Sequence, residues 1–238
     1  GRVVRRDNRF RVTVEISGET VAAHLSNSGR LSELLVPGAL CWVAPNHNPG
    51  RKTRFDLKLV QYDDELVSID ATLPNALFGE ALSAGILEPF AGFECHAREV
   101  GLGKSRFDFR LDGRAGTCWV ETKSVTLVVD GEARFPDAPT LRGAKHVREL
   151  AALSRAGECT AIVFVVQRDD ARVFAPHWRA DPAFCEALAS AAREGVVIYA
   201  WSCSVGLDSV TLHRSLPVCL ADYRRGHAAD GCRCGPRR

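Results

Sequence analysis

The sequence predicts an α/β protein of the α+β kind, in which a small β-barrel precedes a mixed sheet flanked by helices. The first observation is a series of short, strand-like apolar alternations separated by turns before residue 75. The second is the alternation of strand-like and helix-like segments after residue 75, which favours a sheet covered by helices. The third is a set of two acids and a lysine on neighbouring strands of the second part, which indicates a site there.

Short strands predict the barrel. The first strand is predicted from four alternating apolar residues, Phe10, Val12, Val14 and Ile16. Further strands are expected at residues 20–25, 39–43, 55–62 and 66–69, with a helical turn near residues 31–35. About five short strands with one helical turn favour a barrel of OB type, which is a frequent nucleic-acid binder. The fold alone does not establish that function.

A predicted helix leads into the second part. Leu77, Phe78, Ala81 and Leu82 have helical spacing, Pro74 precedes them and Gly85 offers a stop. Strands are expected at residues 94–100, 106–111, 119–129, 161–166 and 196–200, and helices at 140–155 and 182–193. We therefore predict an OB-like domain at residues 1–74, a second domain at 75–220 and a basic tail at 221–238.

Composition and charge restrict the class of protein. The 238 residues are 46% hydrophobic and 25% charged, which is ordinary for a soluble globular protein. No run of 18 apolar residues is present and the start lacks a signal-like apolar segment, so we expect a cytoplasmic protein without a membrane partner. Arginines crowd both ends, which suits a polyanion partner but is also typical of solvated tails: Arg2, Arg5, Arg6, Arg9 and Arg11, then Arg224, Arg225, Arg233, Arg237 and Arg238.

The nine cysteines form no small-domain framework. Their odd number and scattered positions favour buried thiols in a reducing compartment over disulfides. Cys232 and Cys234 form a lone Cys-x-Cys, which lacks the second ligand pair that a structural zinc needs.

Two acids and a lysine are predicted to converge on neighbouring strands. Glu121 and Lys123 are two residues apart and therefore share one face of a strand, and the short gap before them can bring Asp108 alongside. Such a set can hold a divalent cation near a phosphodiester, with the lysine steering water or stabilising negative charge. The plain alternative is a solvated surface ion pair, since Glu and Lys at this spacing are common. Phe107 and Phe109 flank Asp108 and are expected to face opposite to it.

The helix at 140–155 has two different faces. Ala144, Val147 and Ala151 form an apolar side, and the other side carries Arg142, Lys145, His146 and Glu149. This polar stripe is either an ordinary solvated face or a surface on which Arg142 and Lys145 meet phosphates. His146 would then lie near the metal site as a proton carrier or as a hydrogen-bonding orienter.

The segment Gly-Leu-Gly-Lys-Ser at residues 101–105 is not a phosphate-binding P-loop. The first glycine of that motif would fall at Arg98, and a strand, not a helix, is predicted after Ser105. A turn between strands fits better, and Lys104 and Arg106 can still touch a phosphate backbone.

Several separated motifs resemble the sugar fermentation stimulation protein A family. They are GKSRFDF at 103–109, VETKSVTL at 120–127, FPDAPT at 135–140 and RGAKHVREL at 142–150. The stretch HLSNSGRL at 24–31, with Glu33-Leu34, Pro37-Gly38 and the closing SLPV at 215–218, is similar to the same family. The resemblance extends to about residue 220, so no family role transfers to the tail that carries Cys232 and Cys234.

The resemblance implies an OB-like domain joined to a domain of the PD-(D/E)xK nuclease fold. By position, Asp108 matches the metal-binding acid, Glu121 the second acid and Lys123 the lysine. Glu80 or Glu88 would match the helix-borne acid, with Glu80 assigned as the third metal ligand. Thr122 replaces the usual hydrophobic residue, and its side chain is expected to face away from the site.

The resemblance further implies a DNA-binding protein associated with the regulation of sugar use. Two interpretations remain open: a Mg²⁺- or Mn²⁺-dependent nuclease, or a DNA-binding regulator that keeps the nuclease fold without cutting. We expect DNA as partner, duplex in preference to single strands or RNA, and leave a homodimer open. The residues expected to contact nucleic acid are Asn27, Arg30, Lys104, Arg106, Arg142, Lys145 and His146.

Overall fold

The computed structural model describes residues 1–48, 50–103, 105–114 and 116–222, and the backbone alone of residues 232 and 233. Three sheets and three α-helices organise these residues. None of the helices in the described part of the chain is long and apolar enough to cross a membrane.

A curled six-stranded sheet forms the amino-terminal part. Its strands are β1 (Arg2–Asn8), β2 (Arg11–Ile16), β3 (Glu19–Leu25), β4 (Cys41–Pro45), β5 (Phe55–Tyr62) and β6 (Glu65–Ser68). Their order is β1-β2-β3-β5-β4, with β6 beside β5 and β3 parallel to β5. Val3 N donates to Ala39 O and Cys41 N to Gly1 O, which joins β1 to the chain entering β4. The sheet therefore closes on itself as a barrel around a valine- and leucine-rich core.

No strand is predicted from the sequence at residues 2–8, where the structure has β1. Its arginines are held by partners within the barrel: Arg5 pairs with Asp7 at 2.9 Å, and Arg6 donates to Gly29 O at 2.7 Å. Only Val3 of this strand is fully buried, so the sequence shows little of the alternation that identifies a strand. The solvated-tail interpretation is therefore wrong for the amino end.

A second sheet forms the centre of the remaining chain, in the order β15-β14-β12-β9-β8-β7. Its strands are β7 (Phe93–Leu102), β8 (Ser105–Gly113), β9 (Gly116–Val125), β12 (Cys159–Val166), β14 (Val197–Val205) and β15 (Val210–Ser215). The central strands β9, β12 and β14 are parallel, and the outer pairs are antiparallel. Parallel strands buried on both faces are mostly apolar, as β12 is from Ala161 to Val166.

Helices cover both faces of the central sheet. The helices are α1 (Leu73–Ser83), α2 (Leu141–Arg155) and α3 (Pro182–Arg193), and a 3₁₀ turn spans Glu88–Phe90. Phe78 of α1 packs in one core cluster with Val120 and Val163, whereas α2 and α3 share the other cluster with Ile162 and Phe164. The predicted sheet flanked by helices is confirmed by this arrangement.

A third, small sheet was not expected. It contains β10 (Val128–Val129), β11 (Glu132–Phe135), β13 (Val173–Pro176), β16 (Val218–Cys219) and β17 (Cys232–Arg233). The strand predicted at 119–129 is wrong in length, because the chain leaves β9 at Val125 and turns back at Asp130 and Gly131. Both turn residues have positive φ, of 54° and 80°. Asp-Gly between apolar residues is a strong signal for such a hairpin, so the sequence did carry this information.

The cysteines differ in one respect from expectation. Cys118 of β9 and Cys159 of β12 are directly opposed in register and form a disulfide, which the prediction of buried thiols did not include. Cys41, Cys185, Cys203 and Cys219 are buried, as expected, whereas Cys95 is exposed. Cys234 and the side chain of Cys232 lie outside the described residues.

The buried amide of Gln167 joins the barrel to the central sheet. Its Oε1 accepts from Ser68 Oγ of β6 at 2.8 Å, and its Nε2 donates to Asp70 O at 3.1 Å and to Ser124 Oγ of β9 at 2.8 Å. The next residue, Arg168, is 1% exposed, binds Asp170 through two nitrogens and lies over the Tyr62 ring of β5 at 4.8 Å. Two polar side chains at the end of β12 thus fix the two parts of the chain together.

Asp70 anchors the connection on the barrel side. Lys58 Nζ donates to its Oδ2 at 2.7 Å, and the backbone and hydroxyl of Thr72 donate to its Oδ1 at 3.0 and 2.7 Å. Burial opposes ionisation of Asp70, but these donors outweigh burial and lower its pKa from the ordinary value of 3.8.

Replacing Gln167 with leucine should lower the free energy of unfolding by roughly 3 kcal/mol, because Ser68 and Ser124 lose buried partners. Urea denaturation at neutral pH measures this. Gln61→Leu is the control, since the Gln61 amide donates to Asp63 O at an exposed turn. We expect its effect to stay within about 0.5 kcal/mol. Equal losses in the two variants would contradict the role assigned to Gln167.

Replacing Asp70 with asparagine should cost about 1–2 kcal/mol at pH 7. A carboxylate with a lowered pKa contributes its stability fully above pH 3.8 and loses it as the pH falls through the lowered value. The difference between wild type and Asp70→Asn should therefore shrink at acid pH. Unfolding at pH 7 and at the lowest pH where both proteins fold measures it, with exposed Asp208→Asn as the control. A difference independent of pH would refute the assignment.

Candidate metal centre in the cleft between barrel and sheet

A cavity of about 430 Å³ lies between the barrel and the central sheet. The barrel contributes Arg9 and residues 27–29 to its wall. Asp108 of β8 and residues 121–127 at the end of β9 form the opposite wall. The remaining lining comes from Ala71, Pro74 and Asn75, from residues 134–140, and from Arg142 and Gly143 in the first turn of α2. The three residues predicted to converge, Asp108, Glu121 and Lys123, all line this one cavity.

Asp108 lies where β8 and β9 separate. The ladder between these strands runs from the Gly113–Gly116 pair to the Phe109–Val120 pair. Beyond it, Thr122 N donates to the Asp108 carboxylate at 2.7 Å, so a side chain takes the place of a ladder carbonyl. Phe107 and Phe109 pack in different core clusters, on opposite faces of the sheet. The expectation that both face opposite to Asp108 is therefore wrong, because the strand does not continue its regular alternation here.

Asn75, Asp108 and Thr122 form a closed hydrogen-bond network. Asn75 Nδ2 donates to Asp108 Oδ1 at 2.9 Å, and Thr122 Oγ1 lies 3.0 Å from Asp108 Oδ2 and also contacts Asn75 Oδ1. The Thr122 side chain thus binds the site acid, although the sequence interpretation turned it away from the site. Asn75 stands in the first turns of α1, so this helix positions Asp108.

Glu121 is almost completely buried and is held at one oxygen. Lys123 Nζ donates to Glu121 Oε1, and His146 Nδ1 of α2 lies 2.5 Å from the same oxygen. The side chains of Glu121 and His146 are 6% and 8% exposed. A carboxylate can only accept hydrogen bonds, so His146 Nδ1 carries the proton and Nε2 does not when the ring is neutral.

The second oxygen of Glu121 has no hydrogen-bond partner although it is buried. Burial opposes ionisation of Glu121, but the ammonium of Lys123 and the hydrogen bond from His146 outweigh it and lower the pKa of this carboxyl. Glu121 is therefore ionised at neutral pH, with one negatively charged oxygen left without a donor. An orphaned buried acceptor of this kind costs free energy unless a ligand occupies it.

The donor set fits a divalent cation of the oxygen-preferring type. Asp108 and Glu121 supply carboxylate oxygens to the same cavity, and Mg²⁺ characteristically takes one or two carboxylates and completes its shell with water. Among the described residues, no three His, Cys, Asp or Glu side chains form a ready-made metal group. The residues that would hold a cation are thus Asp108 and Glu121, with the other positions left to water and backbone oxygens.

Glu80 does not reach this site, which corrects its assignment as the third metal ligand. It is exposed and lines a separate cavity with His96 and Arg98, while Glu88 lies exposed in the 3₁₀ turn. The α1 residue that contacts Asp108 is Asn75, one turn and more before Glu80. Helical spacing alone could not show this, because it fixes which residues share a face and not where the face meets β8.

The residues predicted to contact nucleic acid fall into two groups. Asn27 and Arg142 line the cavity, although both ends of the Asn27 amide are engaged, with Ile69 O and Gly29 N. Arg30, Arg106 and Lys145 are exposed outside the cavity lining; Arg106 pairs with Glu99 at 2.9 Å and Lys145 with Glu149 at 3.6 Å. Lys104 lies outside the described residues.

His146 belongs with neither group. It is buried against Glu121, which does not fit the prediction that it contacts nucleic acid. Its hydrogen bond to Glu121 fits the role of orienter, and the role of proton carrier stays a prediction. The expected polar stripe of α2 is likewise interrupted at His146, because the helix packs this side chain under the end of β9.

Sequence reasoning named Asn27 of the barrel wall but missed the contact that holds this wall in place. Asp137 accepts hydrogen bonds from the backbone of Arg30 at 2.6 Å and of Leu31 at 3.3 Å, across the two parts of the chain. A Cβ at Gly29 would lie 2.5 Å from Asp137 Oδ2, so a larger residue there would displace this carboxylate. No local pattern signals a contact between residues this far apart in sequence.

Comparison with known proteins agrees with the fold and with the motifs. The family described as "Sugar fermentation stimulation protein RE domain" matches residues 72–209, and "SfsA N-terminal OB domain" matches residues 4–69. The chain belongs to the sugar fermentation stimulation protein family. The resemblance and the predicted OB domain followed by a mixed sheet with helices are thereby confirmed.

Relatives in this family cover most of the chain. The sugar fermentation stimulation protein homologue of Desulforamulus reducens is 46% identical over 91% of this chain and 90% of its own length. That of Moorella thermoacetica is 48% identical over 90% of this chain and 92% of its own. A solved structure, described as SfsA of Pyrococcus furiosus in complex with Ca²⁺, superposes with a TM-score of 0.85 and 32% identity. The match covers 91% of this chain and 94% of that one.

Replacing Lys123 with methionine should lower the free energy of unfolding by about 2–4 kcal/mol in EDTA, because the buried Glu121 carboxylate loses its neutralising cation. Lys58→Met is a matched control. Lys58 also pairs with a carboxylate, but its side chain is 39% exposed against 15% for Lys123. We expect the control to lose less than about 1 kcal/mol. The reverse order of the two losses would contradict the description of this site.

Proposed function

We propose that the chain binds DNA in the cleft and hydrolyses a phosphodiester bond there with the help of a divalent cation. The observation that carries the proposal is the buried Glu121 carboxylate, ionised, fixed at Oε1 and without a partner at Oε2. The same cavity holds the Asp108 carboxylate and the Lys123 ammonium.

Asp108 and Glu121 are the residues that would hold the cation. The solved relative described as a Ca²⁺ complex supports a divalent ion, and Mg²⁺ or Mn²⁺ is the expected ion for cleavage. When bound, such an ion lowers the pKa of coordinated water and neutralises charge on a phosphate oxygen. Asn75 and Thr122 hold the Asp108 carboxylate in one orientation, and His146 does the same for Glu121.

Lys123 is assigned to the water and to the developing negative charge. Its ammonium is bound to Glu121 Oε1 on the wall of the cavity. In this proposal the scissile phosphate would lie beside that wall, so the ammonium would be next to the phosphate oxygen atoms. Arg142 and the first turn of α2 supply donors for a neighbouring phosphate, because amides at a helix start favour anions.

The second candidate is a DNA-binding regulator that does not cut at a meaningful rate. The specific observation in its favour is the absence, in the described part of the chain, of a group of three metal-ligating side chains. Two carboxylates could leave the cation too weakly held for turnover. Cytoplasmic location and a homodimer also stay predictions.

A cleavage assay separates the two candidates. Labelled duplex and single-stranded DNA are incubated with Mg²⁺, Mn²⁺ or EDTA, and wild type is compared with Asp108→Asn, Glu121→Gln and Lys123→Ala. We expect metal-dependent cutting that falls by at least about 100-fold in each variant, since each removes a group that acts at the reacting phosphate.

The matched control is Asp112→Asn on the same strand. Asp112 pairs with Arg110 at 2.9 Å and does not line the cavity. Its substitution should leave both cutting and binding unchanged. DNA binding without metal-dependent cutting, the same in wild type and variants, would favour the regulator. Absence of DNA binding in all the proteins would refute both.

A further inference from the structure

Exposed apolar residues are neighbours in sequence of residues that line both walls of the cleft. Phe10 follows Arg9 in the turn between β1 and β2 and is 50% exposed. Leu141 stands between Thr140 and Arg142 in the first turn of α2 and is 89% exposed. Arg9, Thr140 and Arg142 all line the cavity. A single exposed apolar residue is ordinary, but here each wall presents the same pairing of an arginine with an apolar neighbour.

This pairing has the chemistry that recognises unpaired nucleotides. Guanidinium groups bind phosphates, whereas aromatic rings stack on the faces of bases. The guanidinium of Arg9 already lies over the Phe10 ring, 5.5 Å from its centre, so charge and ring are presented together. In a duplex the base faces are covered by their neighbours in the stack. A ring such as Phe10 gains a stacking partner only where a base is unpaired.

The size of the cavity and the contacts that hold its walls agree with one strand. A volume of about 430 Å³ is within the range of pockets for single small molecules. The barrel wall is held by Asp137, which accepts from Arg30 N, and by Arg6, which donates to Gly29 O. The approach at Gly29 is close, because a Cβ there would lie 2.5 Å from Asp137 Oδ2. Moving the barrel away from the sheet would break the contact between Asp137 and Arg30 N, which joins the two parts of the chain.

We propose that the cleft takes a single unpaired DNA strand. Phe10 stacks on one base, Leu141 packs against the next exposed base or sugar, and Arg9 and Arg142 bind the flanking phosphates. This inference rests on the proposed function for the position of the scissile phosphate. It replaces the preference for duplex DNA that the sequence favoured. The binding of a single strand, in contrast, requires no cleavage.

Fluorescence anisotropy with Ca²⁺ tests the binding part. The probes are a labelled single strand without self-complementarity and the same strand annealed to its complement. Wild type should bind the single strand at least about tenfold more tightly. Phe10→Ala should weaken single-strand binding by roughly tenfold, the size of one lost stacking contact, and leave duplex binding unchanged. Phe10→Trp should restore it, and Leu141→Ala should weaken it in the same selective way.

Matched controls exclude a general effect of removing surface apolar groups. Leu207 is 59% exposed, in the turn between β14 and β15, and Leu207→Ala should bind both probes as wild type does. Thermal unfolding should be unchanged in all these variants, because every substituted side chain is exposed. Duplex bound as tightly as the single strand, or wild-type affinity in both Phe10→Ala and Leu141→Ala, would overturn the inference.

The same proteins in Mn²⁺ separate this inference from the proposed function. Selective single-strand binding that depends on Phe10, without any Asp108-dependent cutting, would leave the single-strand inference standing and refute the nuclease. Asp108-dependent cutting of duplex at the rate of single strands, unchanged in Phe10→Ala, would support the nuclease and refute the single-strand inference.

Discussion

The cleft depends on one buried amide, that of Gln167. Every hydrogen-bonding group of this side chain is used, and its three partners come from the barrel, from the connecting segment and from β9. A buried amide with all its bonds made resists displacement, because any shift leaves several groups unpaired in a medium of low dielectric. Ser124, which Gln167 binds, directly follows Lys123. The clamp that joins the two parts of the chain therefore also fixes the strand that carries Glu121 and Lys123.

The hydrogen bonding of Glu121 is incomplete, in contrast to that of Gln167. Lys123 and His146 both donate to one of its oxygens, while the other is buried without a donor. The same fold satisfies the buried amide of Gln167 at the end of β12 and leaves one oxygen of the ionised Glu121 on β9 without a donor. Unsatisfied buried acceptors lower stability and are retained where a ligand completes them. The contrast within one sheet is a stronger indication of a ligand site than the spacing of Glu121 and Lys123, which surface ion pairs share.

The sequence predicts those parts of the structure that depend on regular periodicity. The apolar run of β12 reflects burial on both faces of the sheet, and the helical spacing of α3 reflects one buried stripe. The alternating Val12 and Val14 of β2 are both buried in the barrel core. The Glu121-x-Lys123 spacing likewise placed both side chains on one wall. The separation of β8 from β9 at Asp108 could not be predicted, because it depends on a side chain replacing a backbone carbonyl. For the same reason Asn75 was missed and Glu80 was preferred, since only the packed position of α1 decides which of its residues meets Asp108.

The charged side chains that line the cavity connect the two parts of the proposed function, cation binding and DNA binding. Asp137 is engaged by backbone amides, Arg134 by Glu132 and Lys123 by Glu121. The lining also holds the carboxylates of Asp108 and Glu121, the second of them paired with Lys123, and the side chains of Arg9 and Arg142. Two like unit charges about 4 Å apart repel by about 4 kcal/mol at an effective dielectric constant of about 20. A phosphate approaching these carboxylates would meet such repulsion unless a cation lay between them. In the proposed function the cation and the DNA strand must therefore favour each other's binding, and by linkage that preference is reciprocal. In that proposal the flanking arginines hold a strand at the cleft without the cation but do not bring a phosphate to Asp108 and Glu121.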